Sequence, residues 1–163
     1  MRRHSSVLWR RQPPLCFTNG MPDYRRILAA IDLTEDSRAV AGRAIDIARA
    51  TNGSVHLLHV IEFIPIEPMS DTMVPVVQID DQMMERARAR IEALATQLGL
   101  PPNSSTVESG SAKSEILRHA RTQGSDLIVL GARERHGLSI LVNRTEDTVL
   151  HGAPCDVLAV RVR

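Results

Sequence analysis

The sequence predicts a Rossmann-like α/β fold: an open, five-stranded parallel sheet of order 3-2-1-4-5 with helices on both faces. Three observations carry that reading. The longest apolar runs sit on the strands read at residues 27–31, 126–130 and 156–162, and the first, apolar throughout, reads as buried on both faces. Between the strands stand segments whose apolar residues recur every three or four positions, as a helix lying on a sheet requires. The two patterns alternate along the chain, and right-handed crossovers then build a parallel sheet covered on both faces.

The elements follow in order. Ile27 to Ile31 form the first strand, ending at Asp32. Thr34, Glu35 and Asp36 start a helix, with a capping hydroxyl and two acids near the positive end of the dipole. Val40, Ala44, Ile47, Ala48 and Thr51 continue it at helical spacing until Asn52–Gly53 closes it. The second strand is SVHLLHVI, residues 54–61. Pro65, Pro68 and Pro75 keep residues 62–79 out of regular helix or central strand. That crossover of about 18 residues is long enough to be a lid or binding loop.

After Asp80–Asp81 the series Met84, Ala87, Ile91, Leu94 and Leu98 marks an amphipathic helix ended by Gly99 and Pro101, with Met83 and Met84 as core filler. A short strand near Thr106–Ser109 precedes a helix from Ser111 through Arg121, ended by Gly124. The strand DLIVL ends at Gly131. A last helix starts at Thr145 and closes at Gly152 and Pro154, and DVLAVRV is the final strand. With the first strand central and the chain reversing between strands one and four, the switch point lies at their carboxyl ends. Asp32 stands on one side of that crevice and Gly131 on the other.

Composition narrows the function. At 163 residues the chain fits one domain, and no apolar stretch approaches the ~20 residues that span a bilayer. A net charge of +1 supplies no field toward nucleic acid, and 2% aromatic residues leave little to stack on bases. Cys16 and Cys155 have no metal spacing, and a reduced cytoplasm is the expected compartment. Residues 1–20 hold Arg2, Arg3, Arg10 and Arg11 and no acid; removing those four charges from +1 leaves −3 for residues 21–163. This leader reads as a disordered basic tail or an upstream start, with the domain at 21–163.

The mouth of the sheet is where chemistry would sit. A strand-terminal glycine lets backbone approach a phosphate, and helix-terminal N–H groups point at it. Asp32 would accept hydrogen bonds from a ribose hydroxyl or an adenine amine, or else cap the next helix. Beyond Gly131, however, stand Glu134 and Arg144–Thr145. A carboxylate ~4 Å from a phosphate costs about 4 kcal/mol at an effective dielectric of ~20, roughly a thousandfold in affinity. Arg144 removes close backbone approach, while its charge either draws an anion or pairs with Glu134, Glu146 or Asp147. The six histidines lack metal spacing: His56 and His59 point to opposite faces of one strand, and His119, His136 and His151 form no i, i+4 pair. There is no G-x-S-x-G elbow around Ser139, and Lys113 is the only lysine, so no P-loop exists. No catalytic residue is expected.

Taken together, RRILAAIDLTEDSRAVAGRAIDIARATNGSVHLLHVIE, the Ser109–Gly110 pair ahead of a helix, SDLIVLGARERHG and APCDVLAVRV resemble the universal stress protein family over about residues 23–163. The resemblance implies a homodimer, often joined by antiparallel pairing of the last strands, here through Val157, Leu158, Val160 and Val162. Members that bind ATP carry G-x2-G-x9-G-S/T. Gly131 and Thr145 match that pattern; Glu134 and Arg144 depart from it. The chain therefore resembles the A-type branch, which implies a non-enzymatic cytoplasmic stress-response dimer acting through protein partners, with a degenerate nucleotide site and no cofactor. Its rival is an ATP- or AMP-binding switch or slow ATPase that uses magnesium and the crevice residues Asp32, Gly131, Arg144 and Thr145.

Overall fold

The computed structural model describes residues 22–62, 81–133, 149 and 151–162. The basic leader, most of the 62–79 crossover, Glu134, His136, Ser139, Arg144, Thr145 and the start of the last helix lie outside the described residues. The described elements are β1 (Arg26–Ala30), α1 (Ser37–Thr51), β2 (Ser54–Ile61), α2 (Asp81–Gln97), β3 (Ser105–Ser109), α3 (Ala112–Gln123), β4 (Leu127–Arg133) and β5 (Asp156–Val162). They form one sheet of order β3-β2-β1-β4-β5 with every pairing parallel, as expected.

Alternate residues of each strand feed two cores, because side chains in a strand point to opposite faces. On one face Ile27, Ala29, Leu57 and Val129 pack beneath α1 and α2, which contribute Val40, Ala41, Ala44, Ala48, Ala87, Ile91 and Ala95. Three alanines on α1 bring its backbone close to the sheet. On the other face Leu28, Leu58, Ile128 and Leu130 meet Ile116 and Ala120 of α3, together with Val149. Met84 packs against the first core, whereas Met83 is exposed rather than core filler.

The amino end of the sheet is tied by polar groups. The Asp126 carboxylate accepts from the backbone N–H of Arg25 at 2.8 Å and of Arg26 at 3.0 Å, setting β1 beside β4. Tyr24 donates its hydroxyl to Asp156 at 2.9 Å; burial and that carboxylate push its phenol up to about 12. Gly53 is required by space, since a Cβ there would stand 2.3 Å from the Tyr24 carbonyl oxygen. Asn52 caps α1 in the left-handed region, its N–H bonded to the Ala48 carbonyl.

Two local expectations are corrected. The helix expected from Thr34 begins at Ser37, and its N-cap, Asp36, makes no side-chain cap bond. Thr34 lies instead in the turn ahead of the helix, donating its hydroxyl to Asp32 at 2.6 Å while its carbonyl accepts from the Ser37 N–H at 3.1 Å. The fourth strand does not end at Gly131 but runs on to Arg133, because β5 stays paired with it through Val162.

Candidate functional site

The carboxyl ends of β1 and β4 sit side by side, with Ala30 paired to Leu130, which brings Asp32 and Gly131 to one mouth of the sheet. Asp32 leaves β1 and turns the chain into α1. Its Oδ1 accepts from the Thr34 N–H at 3.1 Å, the Thr34 hydroxyl at 2.6 Å and the buried Ser37 hydroxyl at 3.0 Å. These bonds hold Leu33 at φ 58°, a left-handed conformation rare for a branched residue, with its side chain buried. Asp32 thus holds the turn ahead of α1, whereas the N-cap position expected of it falls on Asp36.

Neighbouring elements grip the same turn. His59 of β2 holds Nδ1 2.9 Å from the Ile31 carbonyl; a carbonyl only accepts, so Nδ1 carries the proton. Arg90 of α2 donates to the Leu33 carbonyl at 2.5 Å. The sequence marks His59 only as a histidine outside any metal site and gives no sign of Arg90; the available signal is a histidine near the exit of the strand beside the switch point. Next to the mouth, Glu62 accepts from the Ala112 N–H at 3.0 Å, placing a carboxylate at the positive end of α3.

Gly131 lies in extended strand, outside the positive-φ region, so no turn requires it. A Cβ there would meet Val40 Cγ2 of α1 at 3.3 Å and Val162 Cγ2 at 3.6 Å. The glycine therefore lets the first turn of α1 press onto the sheet. Glu134, Arg144 and Thr145 fall outside the described residues.

At the far edge, β5 follows β4 and, among the described residues, has no further strand beside it. Val157, Leu158 and Val160 are half-buried there, and Val162 is sealed into the first core. Cys155 is half-buried, and its thiol is pushed up to about 11 by burial and by Asp126 and Asp156, which leaves little thiolate. Among the described residues no helix is long and apolar enough to cross a membrane. One group of metal-ligand types, Glu108, Glu115 and His119, lies on β3 and α3, away from the mouth.

A model of the universal stress protein family matches residues 23–161. The chain is 34% identical over 144 residues to universal stress protein A homolog 2 of Coxiella burnetii, covering 88% of this chain and 99% of that protein. Solved structures share its fold. Hypothetical protein MJ0577 superposes with a TM-score of 0.68 at 20% identity, over 87% of this chain and 99% of that one. A universal stress protein in complex with cAMP gives 0.55 at 18%, over 85% and 98%. A putative universal stress protein of Pseudomonas aeruginosa gives 0.64 at 23%, and there the chain spans about half of its counterpart, 85% of this chain against 48% of the other.

Proposed function

This chain belongs to the universal stress protein family, and from that premise we propose that it is a non-enzymatic, cytoplasmic stress-response homodimer of the A-type branch, acting through protein partners without a cofactor. The observation that carries the reading is the pair Glu134 and Arg144, which stand where the ATP-binding pattern wants backbone-exposing glycines. One adds a negative charge and the other a bulky side chain at positions where that pattern has glycine. The described mouth supports this, since Asp32, His59 and Arg90 all bond the turn between β1 and α1. Self-association runs through the edge of β5, where Val157, Leu158 and Val160 flank backbone groups suited to antiparallel pairing.

A second reading has its own support. Gly131 and Thr145 retain the ATP-binding pattern, and one fold neighbour was solved with cAMP. On this reading the crevice of Asp32, Gly131, Arg144 and Thr145 binds ATP or AMP with magnesium, as a switch or slow ATPase. Isothermal titration of the full chain with ATP and magnesium separates the two. The preferred reading expects no saturable heat at millimolar nucleotide; tight binding at one nucleotide per subunit overturns it.

A further inference from the structure

On the flank of the sheet farthest from β5, four charged or titratable side chains crowd one point. Glu108 comes from the edge strand β3, and Glu115, Arg118 and His119 come from α3. The terminal nitrogen Nη2 of Arg118 lies 2.5 Å from Glu115 Oε2, 3.0 Å from Glu108 Oε1 and 3.2 Å from His119 Nε2. His119 Nε2 is also 2.9 Å from Glu108 Oε1. Glu108, Glu115 and His119 each offer one ligand-type atom within 4.8 Å of the other two. His119 is only 7% exposed, and the spacing of Glu115 and His119 puts both on one side of α3.

The bonding is internally contested. Arginine only donates and a carboxylate only accepts, so Nε2 serves Arg118 when unprotonated and Glu108 when protonated, never both. A single metal ion removes the conflict, because it takes lone pairs from a neutral imidazole and two carboxylates at once. The arginine nitrogen already marks where such a cation would stand. Arg118 is half-exposed, so it can leave toward solvent, whereas His119 is packed and stays.

We infer that Glu108, Glu115 and His119 form a binding site for a divalent transition metal of the zinc class, with Arg118 as the cation it displaces. Zinc–nitrogen and zinc–oxygen bonds of ~2.0–2.2 Å are shorter than the N–H···O distances seen here, so the cage contracts as the metal enters. Three protein ligands leave a position open to water. Gln123 supports the arrangement from behind: its side-chain nitrogen lies 3.3 Å from His119 Nδ1, and turning the amide presents an oxygen to Nδ1–H once Nε2 binds metal.

The test is titration of the tag-free full chain with cobalt(II), followed by its visible absorption, and competition by zinc(II). The parent chain is expected to take one equivalent that zinc displaces. His119→Gln and Glu115→Gln should each remove it or weaken it at least tenfold, with far-ultraviolet circular dichroism confirming the fold. Arg118→Met should tighten it about tenfold, since no cation must leave. No equivalent in the parent chain overturns the site, as does an equivalent that survives both ligand substitutions. Should Arg118→Met weaken or not change the affinity, the displacement is wrong. Glu115→Gln keeps the test sharp if His119→Gln fails to fold, because Glu115 lies toward the helix surface.

Discussion

The mouth between β1 and β4 and the flank between β3 and α3 both gather carboxylate, histidine and arginine, yet they spend them differently. At the mouth, Asp32, His59 and Arg90 bond to the turn between β1 and α1, mostly to backbone groups that folding must satisfy. At the flank, Glu108, Glu115, Arg118 and His119 bond to each other, and no backbone depends on them in these bonds. Polar residues at a strand end are thus no guarantee of a ligand site. Where side chains satisfy only one another, an exchange of partners is open.

Substitutions turn that contrast into measurements of stability, taken as denaturant midpoints. The largest effect is expected at Gly131→Val, where the Cβ would press on Val40 and Val162 and cost ~1–3 kcal/mol. A neutral result would mean that the contact between α1 and the sheet does not need a glycine there. Asp32→Ala removes the acceptor of three hydrogen bonds, one from buried Ser37, and should cost ~1–2 kcal/mol, with Asp32→Asn recovering part of it. A loss below experimental error would mean that the turn does not need the carboxylate. At the flank, Arg118→Ala should move the midpoint least of the three, because a half-exposed ion pair is screened by solvent. A loss matching Asp32→Ala would erase the distinction between the two regions.

Acid should sharpen the contrast more gently. The hydrogen bond from His119 holds the Glu108 carboxyl below its ordinary value, with Arg118 reinforcing it against the opposing effect of burial. A lowered carboxyl contributes stability that is present above the unfolded value near 4.5 and is lost as pH falls through the folded one. Burial likewise lowers His56, with repulsion from His119 added, so its contribution is present above 6.5 and fades below. Stability should therefore decline from pH 6.5 downward in two stages. Glu108→Gln should abolish the lower stage and His56→Gln the upper; persistence of a stage in its variant would contradict the assignment.

Much of this was legible from residue order. Residues 54–61 were bounded correctly by Asn52–Gly53 before them and the proline-rich crossover after, and the strand order followed from placing the first strand centrally. Local choices between equal partners were not legible. Thr34 has the residue type of a cap, but it lies in the turn that it shares with Asp32, and the helix starts three residues later at Ser37. Gly131 has the look of a strand end, while the requirement it meets is the proximity of Val40, about 90 residues earlier in the chain. The flank was missed for a related reason: a search for histidine pairs overlooks Glu115 and His119, one helical turn apart, and cannot see that β3 brings Glu108 beside them.

The central claim is that Glu134 and Arg144 deny the mouth a polyphosphate. Its most direct test titrates ATP with magnesium into the Glu134→Gly, Arg144→Gly double variant beside the parent chain. Saturable binding at one nucleotide per subunit in the double variant, with none in the parent, is the predicted result. Binding by the parent, or by neither, would contradict it.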